Sequence, residues 1–382
     1  MQNQAINLNR AATQLSRALR RAAVAFLALA FILLHNHKAL AQDNDSPSPS
    51  QTASACGLNF GDGKFYEWGL RPQVAMNASG LVVEVHESSF TGAGEISYKV
   101  GQINGSAVNW GKSYVVPLSF ASGHGGYYPA VALTKSGLVI LAFQYYNGRA
   151  NPNQLYYMVG QLDVNGGSDQ RILWLTGAQL YDAGNRVSLS VNDNGLIVGV
   201  HETGSGGNGL YYRIGQLPNP PQSYSIKWTS GEYGIRYTGG VFPHIAINNQ
   251  NQVVEVHQVQ DNENLLHYIR GTISAPYSSI KFANDQPRYD NNGANPTDAL
   301  LDSGMVIEAH TAKLGSTRLG SMWAQLNPSD PVKLNWGCSS SFSPTGDDRA
   351  YPQVAANGNT AIMVTFGVYP YGSQLWSYVA KY

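Results

Sequence analysis

Four histidines, His86, His201, His257 and His310, stand at matching points of a repeated pattern. Glu84, Glu255 and Glu308 stand two residues before three of them, and Gly199 takes that place before His201. Residues two apart on a strand share a face, so each Glu–His pair lies side by side. Two further repeats carry Leu141 with Phe143 and Val364 with Phe366 there. The position therefore switches as a unit between a polar and an apolar pair. A Glu–His pair between packed sheets must be hydrogen-bonded. It is either an internal strut or the polar wall of a ligand pocket. The segments between repeats add an aromatic ring and a glycine: Tyr66 with Gly69, Tyr181 with Gly184, Tyr237 with Gly239, Tyr289 with Gly293. Imidazole, carboxylate and ring face together suit a sugar, whose hydroxyls need paired hydrogen bonds while its C–H face stacks. The candidate ligand-binding set is Glu84, His86, His201, Glu202, Glu255, His257, Glu308 and His310, with Tyr66, Tyr181, Tyr237 and Tyr289. Two ligands per repeat are too few for a metal, so no metal or cofactor is expected.

No catalytic residue is assigned. A Gly-x-Ser-x-Gly elbow opening a helix is absent. The run Gly204-Ser-Gly-Gly207 precedes no helix and is not a phosphate cradle. Asp182, Glu202, Asp347 and Asp348 are candidate carboxylates for glycoside chemistry, which needs two of them roughly 5–9.5 Å apart.

The elements that position these residues follow from self-similarity. Pro72-Gln-Val-Ala returns as Pro129-Ala-Val-Ala, Val187-Ser-Leu-Ser, Pro243-His-Ile-Ala, Pro296-Thr-Asp-Ala and Pro352-Gln-Val-Ala. Each opens a strand, in most repeats ending at a turn such as Ser79-Gly80 or Asn194-Gly195. A second strand ends at the histidine position, and a third follows a polar loop. A brief fourth carries aliphatic-x-aromatic: Val108-Asn-Trp110, Ile172-Leu-Trp174, Ile226-Lys-Trp228, Ile280-Lys-Phe282 and Leu334-Asn-Trp336. Four strands per repeat predict an all-β, six-bladed β-propeller over 56–382. The sixth repeat lacks its fourth strand, and Leu58-Asn59-Phe60 has the missing pattern. The N-terminal strand is thus expected to complete the last blade and close the ring, hiding an edge.

This pattern resembles the secreted repeat propellers that include propeller lectins, in architecture alone. Six-bladed sialidases resemble the same outline, but no repeat carries a Ser-x-Asp-x-Gly-x-Thr-Trp box. The resemblance implies glycan binding by analogy.

The chain has 24 Lys+Arg and 24 Asp+Glu, so no net field gathers phosphates and a nucleic-acid partner is not expected. Residues 1–41 read as an export signal: Arg17, Arg20 and Arg21, then apolar Ala22–Leu34, then Ala39-Leu40-Ala41. Thirteen apolar residues fall short of the roughly 20 that span a bilayer, so no membrane association is expected after cleavage. The Pro/Ser-rich 42–55 reads as a linker. Cys56 and Cys338 flank neighbouring outer strands; the compartment favours a bridge and the offset of those strands opposes one. The sequence therefore reads as a secreted or periplasmic, non-catalytic binding protein with repeated inter-blade pockets for glycans or cell-surface polysaccharide. A polysaccharide lyase or hydrolase working in the central channel, and a purely structural or adhesive protein, are the alternatives.

Overall fold

The structure, a computed structural model, describes residues 58–382 apart from 89–93, 120–124, 147–153, 165–168, 205–207, 219–223, 232, 260–264, 285–286, 291, 313–317, 343–348 and 370–371. The export signal, the linker, Cys56, Asp347 and Asp348 lie outside the described residues, as does the Cys338 side chain. Among the described residues no helix is long and apolar enough to cross a membrane.

Strands form six antiparallel sheets. The innermost are Leu70–Met76, Gly125–Leu133, Asn185–Val191, Val241–Ile247, Ala294–Leu300 and Arg349–Asn357. The second strands are buried almost throughout, as in Leu196–Glu202 and Met305–Thr311, because neighbouring blades cover both faces. That is why they read as continuous apolar runs rather than alternating ones. Glycines at the hairpin turns, such as Gly80 at φ 77° and Gly195 at φ 76°, adopt the left-handed conformation that the turn needs.

The ring closes as the sequence predicts. Asn59 and Phe60 pair with Lys381 and Ala380 of the last strand, Gly372–Lys381. Two details differ from expectation. The segments between blades are themselves strands in four places: Lys64–Trp68, Gln179–Ala183, Ile235–Gly239 and Arg288–Asp290 each pair with the third strand of the blade just left. The fourth strand is also not uniformly brief. It is nine residues long at Ala107–Val115 and at Leu334–Phe342, and Cys338 lies mid-strand in the latter.

Two repeated contacts weld the blades. Tyr98, Tyr157, Tyr212 and Tyr268, on third strands, each accept a backbone N–H from the next blade's outer strand, at 3.2, 3.0, 3.2 and 3.0 Å. The fourth-strand aromatics stack on the tyrosine that enters their own blade: Tyr66–Trp110, Tyr181–Trp228, Tyr237–Phe282 and Tyr289–Trp336, with centroids 4.7–4.9 Å apart. Such ring pairs add about 0.5–1.5 kcal/mol each beyond burial. This explains the aliphatic-x-aromatic mark: the first residue is held by the preceding blade and the third by the incoming connection.

Candidate functional site: the channel mouth

The repeated Glu–His pairs form as pairs. His86 Nδ1 lies 3.0 Å from Glu84, His257 Nδ1 2.9 Å from Glu255, and His310 Nδ1 2.9 Å from Glu308. The tyrosines join them: Tyr237 and Tyr289 donate to Glu255 and Glu308 at 2.9 Å. Burial, followed by the adjacent Glu, holds the hydroxyls of Tyr66, Tyr237 and Tyr289 well above the usual pKa, so they stay protonated. In the third blade Gly199 removes the carboxylate. His201 turns to Asp182 at 3.2 Å and to the Glu202 carbonyl at 3.0 Å, and the buried Tyr181 hydroxyl has no partner among the described residues. All these pairs are 0–9% exposed and none lines the cavities of the channel. The glycines make room for the imidazoles: a Cβ at Gly69 would sit 2.3 Å from His86, and one at Gly184 2.2 Å from His201. Against His257 the glycine is Gly240 rather than Gly239.

A different repeat position faces open space. Arg71, Tyr128, Arg186, Phe242, Asn295 and Tyr351 each precede an anchor, one per blade, and all have φ between 48° and 57°. Left-handed backbone costs a non-glycine residue roughly 1–2 kcal/mol. In all six blades a bulge in the inner pairing follows. The extra residue bends the strand and aims these side chains at one another around one mouth of the channel. The Arg71 guanidinium lies 4.3 Å from the Tyr128 ring centre and that of Arg186 lies 5.9 Å from it. Arg186 also sits 4.1 Å from the Phe242 centre, and Tyr351 is 6.0 Å from Phe242.

Carboxylates from the ends of second strands hold this ring. Glu87 accepts Arg71 Nη1 at 2.6 Å and the Tyr128 N–H of the next blade at 2.7 Å. Glu202 accepts Arg186 Nη1 at 3.0 Å and the Phe242 N–H at 2.7 Å. Gln258 does the same for the Asn295 N–H at 3.3 Å. Glu202 is thus the one sequence-selected site residue that reaches the mouth, from beneath.

The mouth encloses a cavity of about 70 Å³, a middle cavity holds about 140 Å³, and the far end, among the hairpin turns, about 290 Å³. On this measure one water needs roughly 10–15 Å³, so each of the three cavities has room for several waters. His244 lines both the mouth and the middle cavity. Its Nδ1 lies 2.8 Å from Oδ1 of Asp298, on the next blade. Asp298 is 2% exposed. Burial raises its pKa to about 6 despite the adjacent His244.

The mouth residues and the His244–Asp298 pair were missed by sequence reasoning. Asp298 left a signal, because the third anchor position is otherwise Val74, Val131, Leu189, Ile245 or Val354. The mouth residues left only their place one before each anchor.

No family model matches the chain, and no curated protein matches it. Solved propellers do. A Trypanosoma rangeli sialidase in complex with the inhibitor DANA superposes with a TM-score of 0.54 at 12% identity, over 82% of this chain and 55% of its own. The chain thus spans about half the length of that sialidase. A Hadza microbial sialidase gives 0.57 at 11% identity, over 82% of this chain and 66% of its own. A Dyadobacter fermentans protein of unknown function gives 0.57 at 10% identity, over 85% of this chain and 100% of its own. At such identities the likeness shows a shared propeller fold.

Proposed function

We propose that this chain is an exported carbohydrate-binding propeller whose ligand site is the mouth of its channel, with an acidic sugar as the ligand. The carrying observation is the ring of left-handed residues that alternates Arg71, Tyr128, Arg186 and Phe242 around one opening. Aromatic faces stack on sugar C–H surfaces, and guanidinium pairs with carboxylate in matched two-donor geometry. Holding Arg71 and Arg186 from below, Glu87 and Glu202 fix the guanidinium planes before a ligand arrives, which lowers the ordering cost of binding. Trypanosoma rangeli sialidase has been solved in complex with sialic acid, an acidic sugar, which agrees with this class. The basic, apolar and Ala-x-Ala order of residues 17–41 supports export. In this reading the repeated Glu–His pairs are scaffold.

The test is a glycan array probed with residues 42–382 and with Arg186→Met and Tyr128→Ala. Retention of acidic glycans, weakened at least tenfold by either change, is the expected result. An array that retains no glycan, or that both variants leave unaltered, overturns the proposal.

A further inference from the structure

The geometry points to proton-transfer chemistry at this mouth: His244, oriented by the buried Asp298, is the base of an eliminative cleavage of uronate-containing glycans. The inference rests on the acidic-sugar reading above and adds a reaction to it.

Asp298 stands where five other blades bury an aliphatic side chain. Its Oδ2 is buried and has no partner among the described residues. A buried carboxyl costs stability unless paired, so its one partner is informative. That partner is His244, whose side chain is 12% exposed. Nδ1 meets Oδ1 at 2.8 Å, and Nε2 has no hydrogen-bond partner among the described residues. With Asp298 ionised, Nδ1–H donates to Oδ1 and the lone pair is left on Nε2, the arrangement of a general base held by a buried acid. No metal-ligand cluster of His, Cys, Asp or Glu lies among the described residues, so the imidazole is not part of one.

The remaining requirement is to stabilise the charge that forms. When a uronate loses its C5 proton, negative charge spreads into the adjacent carboxylate. Arg71 and Arg186 line the same cavity as His244 and are preorganised to take it. The step balances without a co-reactant. The C5–H bond breaks and its proton passes to Nε2. That electron pair forms the C4=C5 double bond as the C4–O bond breaks. The imidazolium returns the proton to the departing oxygen, and His244 ends neutral. One residue serves both transfers where C5–H and C4–O lie on one face, as in gluco-configured uronates.

The carboxyl of Asp298 faces His244 from the fourth blade's inner strand, Glu255 and Glu308 from second strands, and Tyr289 from a connection. Burial holds its pKa near 6, so protonation below that pH withdraws the acceptor for Nδ1–H. The Asp298 backbone N–H, which already points at Nδ1 from 3.2 Å in the structure, is then the donor Nδ1 accepts, and the proton moves to Nε2.

The experiment incubates residues 42–382 with polyglucuronate, alginate and polygalacturonate. It follows the ultraviolet absorbance of the conjugated product, with binding measured separately. The expected results are product from polyglucuronate, a loss of at least about 100-fold in His244→Gln with binding retained, and an acid limb that Asp298→Asn displaces. Binding without product, or His244→Gln at the wild-type rate, overturns this inference alone. Absence of all binding overturns it together with the acidic-sugar reading. Should His244→Gln fail to fold, the acid limb in Asp298→Asn decides, and an unchanged limb overturns the inference.

Discussion

The carboxylate of Glu202, on the third blade, accepts the backbone N–H of Phe242, on the fourth, at 2.7 Å. The same side chain holds Arg186. One carboxylate therefore pins a cation of its own blade and a left-handed amide of its neighbour. Glu202→Gln keeps an acceptor and is expected to cost little stability. Glu202→Ala leaves the Phe242 amide without this acceptor and is expected to cost about 1–3 kcal/mol. Urea unfolding of the two variants checks the order.

Tyr181, Tyr237 and Tyr289 occupy one repeat position with different fates. The last two donate to a buried Glu, while Tyr181 faces the gap left by Gly199. Tyr237→Phe and Tyr289→Phe are expected to destabilise by about 1–3 kcal/mol, and Tyr181→Phe to be neutral or stabilising. Equal losses at all three would refute the role given to Gly199.

If the Glu–His pairs are scaffold, as the proposed function has them, they should behave as exchangeable struts. His257→Phe strands Glu255 on Tyr237 alone, whereas Glu255→Leu with His257→Phe reproduces Leu141 and Phe143 of the second blade. The double variant is expected to be the more stable of the two, with unchanged glycan stoichiometry. A lost binding site in the double variant would show that a pocket does lie at this pair.

Asp298 sets a pH dependence of stability. Its folded pKa of about 6 lies above its ordinary value of 3.8. The fold therefore favours the protonated acid, and this contribution is full below about pH 4 and lost as pH rises through 6. Above pH 6, Asp298→Asn is expected to match or exceed the wild-type melting temperature. Melting curves between pH 4 and 8 check the sign, because a variant that loses stability only above pH 6 would reverse it.

The end of the last blade's outer edge is covered by two residue pairs, Asn59–Lys381 and Phe60–Ala380, while Lys64–Trp68 pairs further along the same strand. A chain starting at Asp62 exposes the part of the last blade's edge that Asn59 and Phe60 cover and is expected to aggregate or oligomerise. Light scattering and gel filtration detect it; a stable monomer would remove closure from the account.

The fold was legible because every blade repeats the same physical demands. Turn glycines, buried second strands and stacked aromatics recur at fixed offsets, so six imperfect copies reinforce one another. The histidine position was legible for the same reason, and its repetition drew attention to pairs that the structure buries. Glu–His pairing was readable from strand period two, but burial was not, since it depends on which neighbouring blade closes over each pair. The mouth was illegible for the opposite reason. Its six residues share a backbone conformation and no side-chain chemistry. Asp298 was visible as an acid in an aliphatic column, yet its partner His244 lies one blade away, and only the ring's geometry brings the two together.

The six left-handed positions have a consequence for how such a molecule can change. At each, the bulge fixes where the side chain points, whatever that side chain is. Arginine, tyrosine, phenylalanine and asparagine already sit on the same backbone. The mouth behaves as six interchangeable seats on a rigid frame, each contributed by a separate stretch of chain. If the mouth is the ligand site, as the proposed function has it, ligand preference can drift one seat at a time with the core untouched, so relatives sharing this frame are free to differ completely in what they hold.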